Sequence, residues 1–174
     1  MDRPRIAISS CLLGEPVRYD GGHKRNPRIT DELSQQFDWL PLCPELEAGL
    51  GVPRPPVRLV GDRQQPRALG IDNPGLDVSA ALTGCAQRML PRLHDVSGYI
   101  FKSRSPSCGL IDTPLVDSDG RDSGVTAGLY AALVRAAMPK LPLIDEQQLE
   151  QADRREQFLR EVEAYRQSQA GRGG

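Results

Sequence analysis

Short apolar runs alternate with helical stripes along this chain. Ile6-Ala7-Ile8-Ser9-Ser10 is a β-prone run that breaks at Cys11 into CLLGEPVRYDGGHKRNP, a segment dense in Gly and Pro. Thr30 is placed to cap a short helix through Phe37, and Trp39-Leu40-Pro41-Leu42 follows as a second strand ending at Cys43. Pro41, Pro44, Pro53, Pro55 and Pro56 then deny a long helix, because each removes a backbone donor and clashes with the turn before it. Residues 57–60 and 67–70, separated by GDRQQP, predict a small hairpin. Val78, Ala81, Leu82, Cys85, Met89 and Leu93 recur at spacings of three and four, the stripe of an amphipathic helix over 77–93. Residues 98–102 give a further strand, which runs into the cysteine loop SRSPSCGL. Asp119-Gly120 marks a hairpin turn, and 125–138 reads as a buried helix with few charges. Leu149, Ala152, Phe158, Leu159, Val162 and Tyr165 form a partial stripe on a charged final helix, and SQAGRGG is expected to be disordered.

Strands alternating with helices predict an α/β fold: a three-layer sandwich with a mostly parallel central sheet and the 57–70 hairpin as a small excursion. The length of 174 residues suits one core, formed by 1–145, with 146–174 as a charged helix and tail packed on or appended to it. Only 5% of residues are aromatic, so the core must rest on aliphatic side chains. Lysine and arginine (22) nearly cancel aspartate and glutamate (23), which removes the global field expected of a nucleic-acid or membrane-surface binder and leaves room for a local basic pocket. No run approaches the roughly 18 apolar residues of a spanning helix, and the N-terminus carries no convincing signal peptide, so a cytoplasmic protein is expected. Four cysteines are too sparse for a disulfide scaffold, and a reducing compartment turns attention to metal binding or catalysis.

Cys11, Cys43 and Cys108 each follow a predicted strand. In a parallel sheet the carboxyl ends of the strands share one edge, where ligands bind, so three cysteines distant in sequence can converge there. Gly14, Pro44, Pro106 and Gly109 flank them and allow backbone N–H groups close to sulfur. Cys85 differs: it lies on the apolar stripe of the 77–93 helix and reads as a small core hydrophobe. The other three are either unrelated small loop residues or, the favoured reading, one metal site. Zinc would want a fourth ligand, and neither His23 nor His94 stands at zinc-site spacing. A cubane iron–sulfur cluster accepts three thiolates and leaves one iron open as a Lewis acid. The compact cysteine run of electron-transfer ferredoxins is missing.

Four ordered segments, SSCLLGEPVRYDGGHK, LCPELEAGLGVPRPP, FKSRSPSCG and SGVTAG, resemble the motifs of the bacterial thiouracil desulfidase family, long described as a domain of unknown function. The resemblance runs from Ile6 to Met138. It implies that Cys11, Cys43 and Cys108 hold a [4Fe-4S] cluster whose open iron takes the sulfur of a thiolated base, and that the carbon–sulfur bond breaks without net redox change to give uracil and hydrosulfide. Glu45 then resembles the general acid/base and Ser105 an assisting hydroxyl, while Cys85 falls in no motif. Arg18, Asp20 and Lys24 either orient the first cysteine loop, read the pyrimidine edge or simply belong to a solvated loop; Lys102 and Arg104 place positive charge near the thiolates and suit a nucleoside phosphate. Gly124-Val125-Thr126 is expected to open a helix whose N-terminus faces the same pocket. The expected partner is a small thiolated pyrimidine rather than a nucleic acid or a membrane, and the protein is expected to be a monomer. Two other functions stay open on the residues alone: a zinc- or thiolate-dependent hydrolase using the same cysteines, and a non-catalytic module that senses iron or redox state.

Overall fold

In the computed structural model, which describes residues 2–173, the apolar runs at the first and fifth strands lie side by side at the centre of a sheet. β1 (Arg5–Ser9) pairs in parallel with β2 (Asp38–Leu42) on one side and with β5 (Gly98–Phe101) on the other, and β5 pairs in parallel with β8 (Leu143–Asp145). The order is therefore β2-β1-β5-β8, all parallel. Both faces of the sheet are covered, which is why the central strands read as continuous apolar runs rather than alternating ones. Ile6, Ile8 and Ile100 project to one face, against Ile29, Leu33 and Phe37 and against Phe158 and Val162 of α5 (Ala152–Arg172). Ala7, Tyr99 and Phe101 project to the other, against α2 (Ser79–Met89) and α3 (Leu129–Ala137). The expected three layers follow.

The 57–70 hairpin is more than an excursion. β3 (Val57–Gly61) and β4 (Pro66–Gly70) pair antiparallel as expected, and β3 also pairs in parallel with β6 (Thr113–Val116), which pairs antiparallel with β7 (Asp122–Thr126). This second sheet, β4-β3-β6-β7, buries Leu59, Ala68 and Leu115 against Val78 and Leu82 at the start of α2.

Several elements depart from expectation. The 30–37 helix is a single π turn (Arg28–Glu32) running into a 3-10 turn (Leu33–Gln35), and Thr30 does not cap it but donates Oγ1 back to the Asn26 carbonyl. The 77–93 stripe is α2 finished by a 3-10 turn at Leu90–Leu93, because Pro91 cannot donate to a continued α-helix. The 125–138 helix begins only at Leu129, since Val125 and Thr126 are β-branched and pair with Pro114 and Thr113 in β7. The tail expected to be disordered is helical through Arg172. No helix among the described residues is long and apolar enough to cross a membrane.

α5 seats on the sheet through an absence of side chain. A Cβ at Gly98 would lie 3.0 Å from Val162 and 3.1 Å from Phe158, so only glycine lets the helix approach this closely. Phe158 is fully buried. Phe158→Ala is accordingly expected to destabilise the fold by about 3–5 kcal/mol and lower Tm by roughly 6–20 °C in a thermal melt, because the cavity cannot collapse against a packed strand. A loss under about 1 kcal/mol would show instead that α5 contributes little to the core.

Candidate functional site

The carboxyl ends of β1, β2 and β5 lie along one sheet edge, and each leads into a cysteine. Cys11 sits in the 3-10 turn Ser10–Leu13 directly after β1. Cys43 ends β2 and stands at the N-cap of α1 (Pro44–Glu47). Cys108 lies in the turn beyond β5, and that turn is locked onto the start of α3: the N–H groups of Gly128, Leu129 and Ala131 donate to the carbonyls of Gly109, Pro106 and Ser107. Gly128 is needed there, for a Cβ would meet the Ser107 carbonyl carbon at 2.5 Å. These bonds consume the first N–H groups of α3, and Gly124-Val125-Thr126 lies on a strand, so the expected anion-binding helix N-terminus is not formed.

Cys11, Cys43 and Cys108 all line one cavity of about 50 Å³, with Ser9, Leu42, Pro44, Glu45 and Lys102 also in its wall. Burial raises the Cys11 thiol to about 11, opposed by the positive charges of Arg18 and Lys102. Burial likewise raises Cys43, and it raises Cys108 furthest, with hydrogen bonds from Ser9 and Ser107 pulling the other way. Cys11 and Cys108 also feel Cys43, which raises them further. Left to themselves these groups keep their protons at neutral pH; a cationic group among them is what would make three thiolates stable together. Among the described residues no three His, Cys, Asp or Glu side chains are gathered tightly enough to hold one metal ion. A thiol set spread round a shared cavity fits a polynuclear iron–sulfur group, which offers separate attachment points, better than a single zinc.

Glu45 stands beside this cavity on α1, its side chain 16% exposed. Ser107 Oγ donates to its Oε2 at 3.0 Å, and Arg54 Nε donates to its Oε1 at 3.4 Å. Ser105 lines the cavity but does not touch Glu45: its Oγ accepts from the backbone N–H groups of Cys108 (3.0 Å) and Ser107 (3.2 Å), which shapes the cysteine turn. Cys85 lies outside the cavity at 1% exposure, its thiol directed to the Pro44 carbonyl at 3.3 Å, in keeping with a core role.

A wider chamber of about 350 Å³ opens over Glu45 and Ser105. Arg18, Lys24, Lys102 and Arg104 line it together with Tyr19 and Ile71. Lys102 is held by Glu146 of α4 (Glu146–Leu149) at 2.5 Å, whereas Arg18, Lys24 and Arg104 form no ion pair among the described residues. Asp20 lines neither space and accepts from the Gly22 N–H instead. His23 and His94 also lie outside both. Three polar residues of the site escape a sequence reading. Ser107 is one of two serines in SPSC that spacing cannot tell apart; Arg54 is hidden among prolines; Glu146 arrives from 44 residues beyond Lys102 with no local signal.

The profile of a family described as 2-thiouracil desulfurase matches residues 6–146. A curated relative, the uncharacterized protein YbbK of Bacillus subtilis (strain 168), is 31% identical over 133 residues, spanning 71% of this chain and 87% of that protein. A solved structure titled [4Fe-4S]-dependent thiouracil desulfidase TudS (DUF523Vcz) superposes with a TM-score of 0.66 at 31% identity, covering 85% of this chain and 94% of that one. Match, motifs and fold agree, and the chain belongs to the 2-thiouracil desulfurase family.

Proposed function

We propose that this protein is a thiouracil desulfidase that replaces the sulfur of a thiolated pyrimidine base or nucleoside by oxygen and releases hydrosulfide, using a [4Fe-4S] cluster on Cys11, Cys43 and Cys108. The observation that carries this reading is the convergence of three cysteines, two buried and one half-buried, from the ends of three neighbouring parallel strands on one cavity, with a half-buried carboxylate beside it. When bound, such a cluster supplies an iron free of protein ligands, a Lewis acid for the thiocarbonyl sulfur.

The chain's own groups supply the rest. A water oxygen bonds to the thiolated carbon and the carbon–sulfur bond breaks; the sum is thiouracil plus water giving uracil, hydrosulfide and one proton, with no change of oxidation state. Glu45 accepts the proton that the attacking water loses, held in place by Ser107 and Arg54. Ser105 shapes the Cys108 turn and offers a hydroxyl at the mouth of the cavity. The free cations Arg18, Lys24 and Arg104 suit a ring that carries an anionic substituent, and the near-neutral chain argues for small molecules rather than nucleic acid. In this reading 1–145 is the cluster-binding domain, 146–174 completes it through Glu146 and Phe158, and the protein works as a cytoplasmic monomer where thiols stay reduced.

The test is anaerobic reconstitution with iron and sulfide, followed by addition of 4-thiouracil or 2-thiouracil. Thione absorbance should fall as hydrosulfide appears in equal amount. A cluster that forms without turnover of either base would favour a sensor module, and failure to take up iron would overturn the three-thiol site.

A further inference from the structure

Arg54 is buried, its side chain only 5% exposed, and its charge is poorly matched by the protein around it. A buried guanidinium is costly unless its five N–H donors find acceptors. Two do: Nε–H reaches Glu45 Oε1 at a long 3.4 Å, and Nη1 donates to the Gly51 carbonyl at 2.9 Å. The contact to Glu45 is single, not the two-pronged fork that makes such pairs strong, and the second oxygen of Glu45 is taken by Ser107. Nη2 has no protein acceptor among the described residues, yet it is not a sealed orphan, because Arg54 forms wall in both the thiol cavity and the outer chamber. Its backbone is fixed independently, the Arg54 N–H donating to the Tyr19 carbonyl at 2.9 Å. The donor is thus held ready at the junction of the two spaces without its acceptor.

Resting on the desulfidase reading, we infer that Arg54 donates its free N–H groups to the carbonyl oxygen that thiouracil keeps when its other carbonyl is replaced by sulfur. Either ring isomer carries one such oxygen. As water adds to the thiolated carbon, negative charge spreads into the ring, and a fixed cation at that oxygen stabilises it, so Arg54 acts in turnover as well as in selecting the ring. Arg54 keeps all its protons throughout and forms no covalent bond.

The experiment compares the reconstituted wild type with Arg54→Gln and Arg54→Lys on two phosphate-free bases, 4-thiouracil and pyrimidine-4-thione, which lacks the ring oxygen. Rates are expressed per cluster from iron content, and the ratio of the two substrates is internal to each preparation. The wild type should favour 4-thiouracil by about 100-fold in kcat/KM, the scale expected when a built donor loses its acceptor. Arg54→Gln should lower both rates through the loosened Glu45, but the loss on 4-thiouracil should exceed that on pyrimidine-4-thione by about the same 100-fold, so that the preference collapses. Arg54→Lys, which keeps a cation beside Glu45, should retain more activity but still lose most of the preference. Equal losses on both bases in each variant would overturn the inference, since Arg54 would then act only through Glu45 or the fold. A wild type indifferent to the ring oxygen would overturn it as well. A loaded wild type that turns over neither base overturns the desulfidase reading itself.

Discussion

Cys11→Ala, Cys43→Ala and Cys108→Ala are each expected to lose the cluster and bring desulfidation down to background, while Cys85→Ala keeps both. The three thiols differ in sequence context but share a cavity wall, and each is raised by burial, so none forms a stable thiolate unless the cationic group binds. Binding by three thiolates is cooperative in that sense: removing one leaves a two-point attachment. Cys85 is the internal control. It is buried like Cys11 and Cys108, but its thiol meets the Pro44 carbonyl and the Met89 sulfur rather than the cavity. Iron and acid-labile sulfide per chain, read beside hydrosulfide release, decide the matter. A Cys108→Ala protein with full iron content and full turnover would remove Cys108 from the ligand set, and a Cys85→Ala protein without cluster would add a residue to it.

Glu45→Gln is expected to keep the cluster and lose about 10²–10⁴-fold in kcat, the range that a positioned general base contributes. The amide matches the carboxylate in size and can still accept from Ser107, so the cavity wall persists. What it cannot do is take a proton. Arg54, 3.4 Å from the carboxylate oxygen, would then face an uncharged partner, so a modest loss of stability should accompany the kinetic effect. Unchanged iron content with lost turnover separates the proton-handling role from a structural one. Turnover within a few-fold of wild type would dismiss Glu45 as the base and turn attention to the serine pair of the Cys108 loop.

The convergence of Cys11, Cys43 and Cys108 on one cavity was legible because the strand ends of a parallel sheet share one edge, a relation that links them without any short spacing between them. Cys85 was legible for the opposite reason, since its neighbours at three- and four-residue intervals are all core residues. The hairpin of β3 and β4 was readable from its turn, but its membership in a second sheet was not, because the partner strand β6 joins it from more than fifty residues away. Val125 and Thr126 illustrate a limit of periodicity: an apolar run before Leu129 extends a helix on paper, while pairing with β6 takes those residues into a strand. The partners of Glu45 were hidden for a similar reason. Whether Ser105 or Ser107 reaches the carboxylate depends on how the Cys108 turn docks against α3, and that docking is made by backbone hydrogen bonds that every residue type offers.

The order of the central sheet also bears on the time course of synthesis. β1 is made before the strands it pairs with, for it is flanked by β2 and by β5, and β5 receives its other neighbour β8 only at Leu143–Asp145. The face of β1 and β5 opposite α2 and α3 is covered only in part, by Ile29, Leu33 and Phe37, until Phe158 and Val162 of α5 close over Gly98. A nascent chain can therefore carry all three cysteines well before the strands that aim them are fixed. Under the proposed function, cluster loading follows the closure of α5, and a shortage of iron leaves a folded, thiol-bearing chain rather than a stalled one.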